Sequence, residues 1–322
     1  MAQSPKLKNI AVLIYIFANY AIGVGFLIQE AWQLNGIGVV LLIHSLILSA
    51  IFIHELIHGN IFQQRQYNQL WGQALTHLNG ACYATWDDLV AHHINHHIHH
   101  VDFVPFEISK YIRELPVFQR QVVIALEWAY FPAFEFILRL RIVLAAFQES
   151  ENKNLQWHTL LLMLYRGVLF ALLGWYCPKA IALYALAYIC FVNLMRFADA
   201  FHHTYNYAIV GEPFPKRDRV YEDANTFSNL VSIKYPSLNL LYLNFGYHNA
   251  HHEDMRCPWY QLPQLHEKLY GTEAQNLLPL SQLIANYHHF RIERLFGGQG
   301  DVENAGIASF TGGIGVSLLT PP

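Results

Sequence analysis

Four stretches of this 322-residue chain are apolar for long enough to cross a membrane, and no other feature limits its possible folds as strongly. The hydrocarbon core of a bilayer takes ~20 residues of helix, and the stretches at 10–28, 36–53, 157–176 and 179–197 meet that length. The second is interrupted only by His44 and Ser45, the third carries a single arginine, Arg166, and Pro178 stands at the start of the fourth, where proline is tolerated in a helix. The expectation is an all-α integral membrane protein with about four transmembrane helices. Composition agrees: 54% of residues are apolar and 13% charged, about half the roughly 25% charged residues of soluble domains. Two lysines precede the first apolar run, which has no small-residue cleavage site, so it reads as a retained span and not as a signal peptide.

Between the second and third spans lies a polar, histidine-rich region, 59–156. Within it, 117–147 is strongly apolar yet carries Glu127, Glu135, Arg139 and Arg141. It reads as helix lying in the interface and not as a fifth crossing. Lys and Arg are absent around 30–35, and the turn between the last two spans has only Lys179. They accumulate instead at Lys6 and Lys8, throughout 59–156, and at Lys216, Arg217, Arg219 and Lys234. The positive-inside rule therefore places the termini and both polar regions, 59–156 and 198–295, in the cytoplasm as a helical cap on a single domain spanning 1–295. The remaining 296–322 is rich in glycine and small residues, has no charge after Glu303, and reads as a poorly ordered tail. A net charge of −3 argues against nucleic acid as a partner. The four cysteines form no CxxC pair and suggest neither a disulfide framework nor a zinc ribbon.

The chain has 19 histidines, and most fall into clusters. His54-Glu55-Leu-Ile-His58 ends the second span, and on a helix residues four apart share a face. A run from His92 to His100 contains H-x-x-H-H in two registers, His93/His96/His97 and His96/His99/His100, between which spacing does not choose. The same pattern recurs at His248/His251/His252. It sets three imidazoles within ~100° of arc, where they can serve two neighbouring ions. Asp199 and His203, four apart past the fourth span, are placed on one face, with His202 pointing elsewhere. Asp199 is a candidate ligand or an acceptor that orients an imidazole, and His202, His100, Asp102, Glu55 and Asn244 are further candidates of the same kind. His44, His77, His158, His266, His288 and His289 read as isolated hydrogen-bonded or surface residues.

All the clusters fall on one side of the membrane, which points to metal. His-Glu-x-x-His is the zinc metalloprotease signature, with the glutamate as general base. A catalytic zinc, however, takes three protein ligands, and eight or more imidazoles suit two ions of four or five ligands each. Imidazole binds iron, copper, nickel and zinc; of these, iron and copper commonly activate O2. An apolar substrate delivered from the bilayer, with no acidic or basic handle on its C–H bonds, fits oxidative chemistry. A non-catalytic metal carrier and an intramembrane zinc protease built on His54, Glu55 and His58 are the competing classes.

At these motifs the chain resembles the membrane fatty acid desaturase and hydroxylase superfamily, with its three histidine boxes. They read HELIH at 54–58, HINHH at 93–97 and HNAHH at 248–252, and DAFHHTY matches the additional ligand histidine at His203. The resemblance runs from the first span to about Tyr270. It implies a di-iron site, O2 as oxidant, and His54, His58, His93, His96, His97, His203, His248, His251 and His252 as ligands; HINHH followed by Asp102 selects the first register of the second box. It also implies an acyl-lipid, acyl-CoA or acyl-carrier-protein substrate. With no HPGG haem motif and no CxxC pair in the chain, electrons are expected from an external ferredoxin or cytochrome b5-type donor. Desaturation is the leading expectation, with hydroxylation or formation of a terminal alkene or alkyne as alternatives.

Overall fold

The computed structural model describes residues 5–148, 153–271, 276–297 and 306–314. Its four long apolar helices are α1 (Pro5–Leu27), α2 (Trp32–Ile57), α8 (Lys153–Tyr176) and α9 (Pro178–Asp199), and all four are long and apolar enough to cross a membrane. Between them lie α3 (Arg65–Asn79), α4 (Trp86–His99), strand β1 (Asp102–Val104), α5 (Ile108–Glu114), α6 (Val117–Trp128) and α7 (Ala133–Gln148). After them come strand β2 (Tyr207–Ile209), α10 (Arg219–Asn225), α11 (His248–Glu253), α12 (Leu262–Tyr270), α13 (Leu280–His289) and α14 (Arg294–Gly297).

The α1–α2 hairpin is close-packed because small residues face each other. A Cβ on Gly38 would sit 2.8 Å from the Gly23 carbonyl oxygen, the small-residue contact that lets membrane helices approach. The amide of Asn35 closes the turn by donating to the carbonyls of Phe26, Leu27 and Gln29, at 2.8, 3.3 and 3.0 Å. Phe26 and Leu27 close α1, where carbonyls run out of helical donors, and the asparagine amide supplies one from the start of the next helix. Pro178 occupies the first turn of α9, where its absent N–H is no loss. α2 and α9 pack through Leu46, Ile53, Phe191, Val192 and Met195, which share one buried core. α2 ends in a Schellman motif: Gly59 adopts φ 75°, its N–H donates to Leu56 and that of Asn60 donates to Glu55. The chain therefore turns away immediately after His58.

The apolar stretch 117–147 forms two helices, α6 and α7, broken where Tyr130 takes φ 62°. Its acidic residues are buried. Glu127 pairs with Arg196 of α9 at 2.9 Å, and its other oxygen accepts the Phe134 N–H at 2.7 Å. Among the described residues a two-stranded sheet interrupts the helical pattern: β1 and β2 pair in parallel, Asp102 opposite Tyr207, joining the end of α4 to the segment that follows α9.

The expected tail requires correction. Residues 298–305 and 315–322 lie outside the described residues, but 306–314 is packed, with Phe310 fully buried against Phe201 and Phe227. The Gly313 N–H donates to the Ala200 carbonyl at 2.7 Å, and Arg196 Nε donates to the Ile314 carbonyl at 2.9 Å. Small residues are required here by close approach: a Cβ on Gly312, at φ 81°, would lie 3.0 Å from the Ala200 oxygen.

Candidate metal centre

Each histidine reaches the centre from an element that ends beside it. His54 and His58 stand on the last turn and the cap of α2. α4 starts at Thr85, whose hydroxyl accepts the Asp88 N–H at 3.1 Å, a capping interaction that satisfies an orphan donor. It ends at His100, which takes φ 53°. His93, His96 and His97 are buried on its inner side, while His99 stacks edge-on against Phe214. The helix stops at His99, so His100 of the second register leaves the helical face, and neither His99 nor His100 joins the grouped imidazoles.

The third box is held by a polar lattice. The Asn249 side chain accepts from Ser228 Oγ at 2.8 Å and donates to the Thr226 carbonyl at 2.7 Å, and Thr226 bridges to His203. Gly246 passes so close to this segment that a Cβ would meet the Asn229 carbonyl oxygen at 2.5 Å. Only glycine allows that approach.

Two groups of imidazoles result. His54, His58, His93, His97 and His251 each offer a nitrogen lying within 4.8 Å of all the others, and His96, His203 and His252 form a second such group. His248 adjoins the second group, its Nε2 2.8 Å from that of His203. The groups abut, with the rings of His97 and His252 4.2 Å apart.

The Nε2 atoms converge on one another: His58 on His93 at 2.9 Å, His97 on His93 at 3.1 Å, His251 on His97 at 3.2 Å, and His96 on His203 at 3.2 Å. On the outer side, His252 Nδ1 lies 2.9 Å from Glu222 Oε1, and His96 Nδ1 lies 3.0 Å from the Val101 carbonyl and 3.2 Å from Asp102. Acceptors at Nδ1 hold the proton there and leave the Nε2 lone pair facing inward. Neither nitrogen of His54, nor His252 Nε2, has a hydrogen-bond partner among the described residues although all are buried. Lone pairs crowded together in a dry pocket are unfavourable unless a cation lies among them, so this donor set fits metal and could hold two ions.

Electrostatics favour the ligating form. Burial, reinforced by the neighbouring imidazoles, pushes His93, His97, His203, His248, His251 and His252 well below the usual histidine range, and burial takes His58 down to about 3. His96 is the exception: burial works against its charged form, but the hydrogen bond and charge of Asp102 outweigh it and raise the pKa. Most of the cluster is therefore neutral near pH 7, as metal binding requires.

The other candidates lie at the margin. α9 ends at Asp199, so the shared-face relation to His203 fails; His203 arrives through its bridge to Thr226, and Asp199 stands 3.8 Å from His202 Nδ1 instead. His202 stacks on His248 at 3.9 Å and meets Asn229 Oδ1 at 2.8 Å. His100 Nδ1 is 3.5 Å from Glu222. Asn244, at φ 56°, shapes the turn before the third box and donates to the Trp259 carbonyl at 3.0 Å. Glu55 Oε2 accepts the Trp259 N–H at 3.1 Å, so this carboxylate ties the first box to the segment after the third. A protease base would have to face the metal with that group free.

Glu222 escaped the sequence reading. It belongs to no box and sits 26 residues before His248, and only the placement of α10 against α11 brings it to His252 and His100. Glu222→Gln keeps the shape but removes the carboxylate that orients His252. Metal affinity is expected to fall roughly 10–100-fold, read by competition with a chelator.

A cleft borders the centre, lined by His54, His93, His96, His203 and His248 together with the apolar side chains of Val104, Ile108, Leu138, Phe245 and Ile314. Neither the comparison with curated proteins nor that with solved structures gives a match. The family model described as fatty acid desaturase matches residues 30–283, more than three quarters of the chain and all three boxes. On that match and this geometry, the chain belongs to the fatty acid desaturase family.

Proposed function

We propose that the protein is a membrane-bound di-iron oxidase that desaturates an acyl chain with O2 and electrons from an external ferredoxin or cytochrome b5-type donor. The observation that carries this reading is the pair of abutting imidazole groups beside an apolar cleft. One iron would be held by His54, His58, His93, His97 and His251, the other by His96, His203, His248 and His252. The iron pair supplies the chemistry that amino-acid side chains lack, reductive activation of O2 and removal of hydrogen from an unactivated C–H bond.

The chain's own residues do the rest. Asp102, Val101 and Glu222 fix the imidazole protons at Nδ1 and so aim Nε2 inward. Val104, Ile108, Leu138 and Ile314 exclude water and hold a methylene pair next to the histidines. Over the whole reaction the acyl chain gives up two hydrogens, the donor gives two electrons, solvent gives two protons, and O2 leaves as two waters. The Lys and Arg distribution supports a cytoplasmic histidine face, where a soluble donor and an acyl carrier can reach it.

The test is product analysis with purified protein in lipid, a reduced donor, O2 and acyl chains of defined length. The expected product has lost two hydrogens; a product that has gained one oxygen would replace desaturation with hydroxylation. Ile314 gives a second readout. Ile314→Trp is expected to shift the oxidised position or the preferred chain length and to lower turnover about tenfold, because it narrows the cleft that the histidines also line. An unchanged product spectrum would remove Ile314 from the substrate path.

A further inference from the structure

His44 stands at the middle of α2. Its Nδ1 meets the Tyr15 hydroxyl of α1 at 2.8 Å, and its Nε2 donates to the Leu241 carbonyl at 2.9 Å. Leu241 belongs to a short 3-10 helix, Pro236–Tyr242, that precedes the third box. At 1.5 Å per residue, His44 lies about 15 Å along α2 from His54, half the ~30 Å thickness of the hydrocarbon core. Helical side chains also lean toward the helix N-terminus, here away from the histidine centre. The Lys and Arg distribution assigns 198–295 to the cytoplasm, yet this bond holds one part of it at mid-span depth.

The segment suits an apolar medium. Ile233, Tyr235, Leu238, Leu240 and Leu241 are all exposed. Lys234 is the only charge in 233–242. It stands near the beginning, where its aliphatic stem can carry the ammonium toward the head groups.

The polar groups turn inward. Asn239 is buried, accepts the Ser232 N–H at 3.2 Å and donates to the Ser232 carbonyl at 2.9 Å. Ser232 Oγ accepts the Tyr235 N–H at 2.9 Å. The Leu243 and Asn244 N–H groups close the turn on the carbonyls of Leu240 and Asn239, at 3.1 and 2.9 Å. Backbone that meets hydrocarbon has to satisfy its polar groups within the protein, and His44 completes the set at Leu241. On a water-facing surface such a run of apolar side chains would be a liability.

We propose that 233–242 is a re-entrant segment immersed in the acyl chains of the cytoplasmic leaflet and pinned at mid-span by His44. Its apolar face meets lipid hydrocarbon, because it lies on the outer side of α1 and α2, where Tyr15 is itself exposed. Leu243 and Asn244, at φ 47° and 56°, then turn the chain into the third box, which is thereby tied to the bilayer. The proposal rests on α2 being a span and is independent of the reaction at the histidine centre.

The experiment places the wild-type chain in nanodiscs of phosphatidylcholine that carries a photoreactive diazirine either at mid acyl chain or on the head group. Adducts are mapped by peptide mass spectrometry. The exposed side chains of α8, among them Leu161, Leu164 and Leu172, are the internal reference for contact with acyl chains. The acyl-chain probe is expected to label 233–242 as strongly as α8 and to leave the exposed Val220 of the cap unlabelled. The head-group probe is expected to label 238–242 at least about fivefold less, given their separation in depth. His44→Leu leaves the Leu241 carbonyl without its donor, and labelling of 238–242 is expected to shift about threefold toward the head-group probe, the effect of one lost hydrogen bond. Labelling of 233–242 by the head-group probe alone would overturn the proposal. So would the absence of acyl-chain adducts there while α8 is labelled, the pattern given by a second copy or another protein covering this face. An unchanged pattern in His44→Leu would overturn the role of His44 as the pin.

Discussion

His251→Ala is expected to abolish acyl oxidation, a loss of more than 100-fold, and to strip at least one metal from the protein. His251 is 1% exposed, and its ring lies 4.4 Å from that of His54, 4.7 Å from His58 and 4.9 Å from His97. It thus stands at the middle of the five-imidazole group and beside the other, with His252 as its sequence neighbour. Residues that merely orient a ligand change affinity 10–100-fold, so removing a ligand from the centre of the set has to do more. His99→Ala is the matched control. It removes an imidazole from the same histidine-rich run, but one that packs on Phe214 away from both groups, so activity is expected to stay within about twofold. Equal losses in the two variants would mean that the boxes do not act through the geometry described here. Metal content and turnover measured on the same preparations decide the matter.

Glu127→Ala is expected to cost about 3–5 kcal/mol of stability, the range for breaking a buried ion pair from one side. Both partners are 4% exposed by side chain, so deletion of the carboxylate leaves the Arg196 guanidinium charged and without its counter-ion in a dry site. Arg196 also holds the Ile314 carbonyl, and Glu127 also holds the Phe134 N–H. The pair therefore fastens α6, α7, α9 and the 306–314 segment together behind the cleft. Thermal unfolding in lipid should show a midpoint well below that of the wild type. The double variant Glu127→Leu with Arg196→Met is expected to recover much of the loss, because an apolar pair of similar volume leaves no buried charge. A glutamate deletion that leaves the midpoint unchanged would show that this contact does not hold the elements together.

How much of this was legible in the sequence follows from the range of each interaction. The spans were readable because ~20 consecutive apolar residues leave little choice of environment, and the helices found at 32–57 and 178–199 extend the expected 36–53 and 179–197 by only a few residues. The boxes were readable because helical spacing puts His54 and His58, or His93 and His97, on one face. Asp199 and His203 had the same spacing, but a helix end between them is invisible to periodicity, and there the inference failed. Glu222 and Asn229 were missed because their partners lie 30 and 27 residues away, and nothing local marks them. The 306–314 segment was misjudged for a related reason. Glycine and small residues read as slack when isolated, whereas Gly312 is small because it passes against Ala200, to which the Gly313 N–H also bonds.

The central claim is that imidazoles from four separate segments enclose two irons. Metal analysis of the protein purified under conditions that retain its metal, with Mössbauer spectroscopy on iron-57-enriched material, tests it most directly. The account predicts two irons per chain, magnetically coupled and with nitrogen-rich ligation. A single zinc per chain, or one isolated iron that survives the loss of His203 and His252, would contradict it.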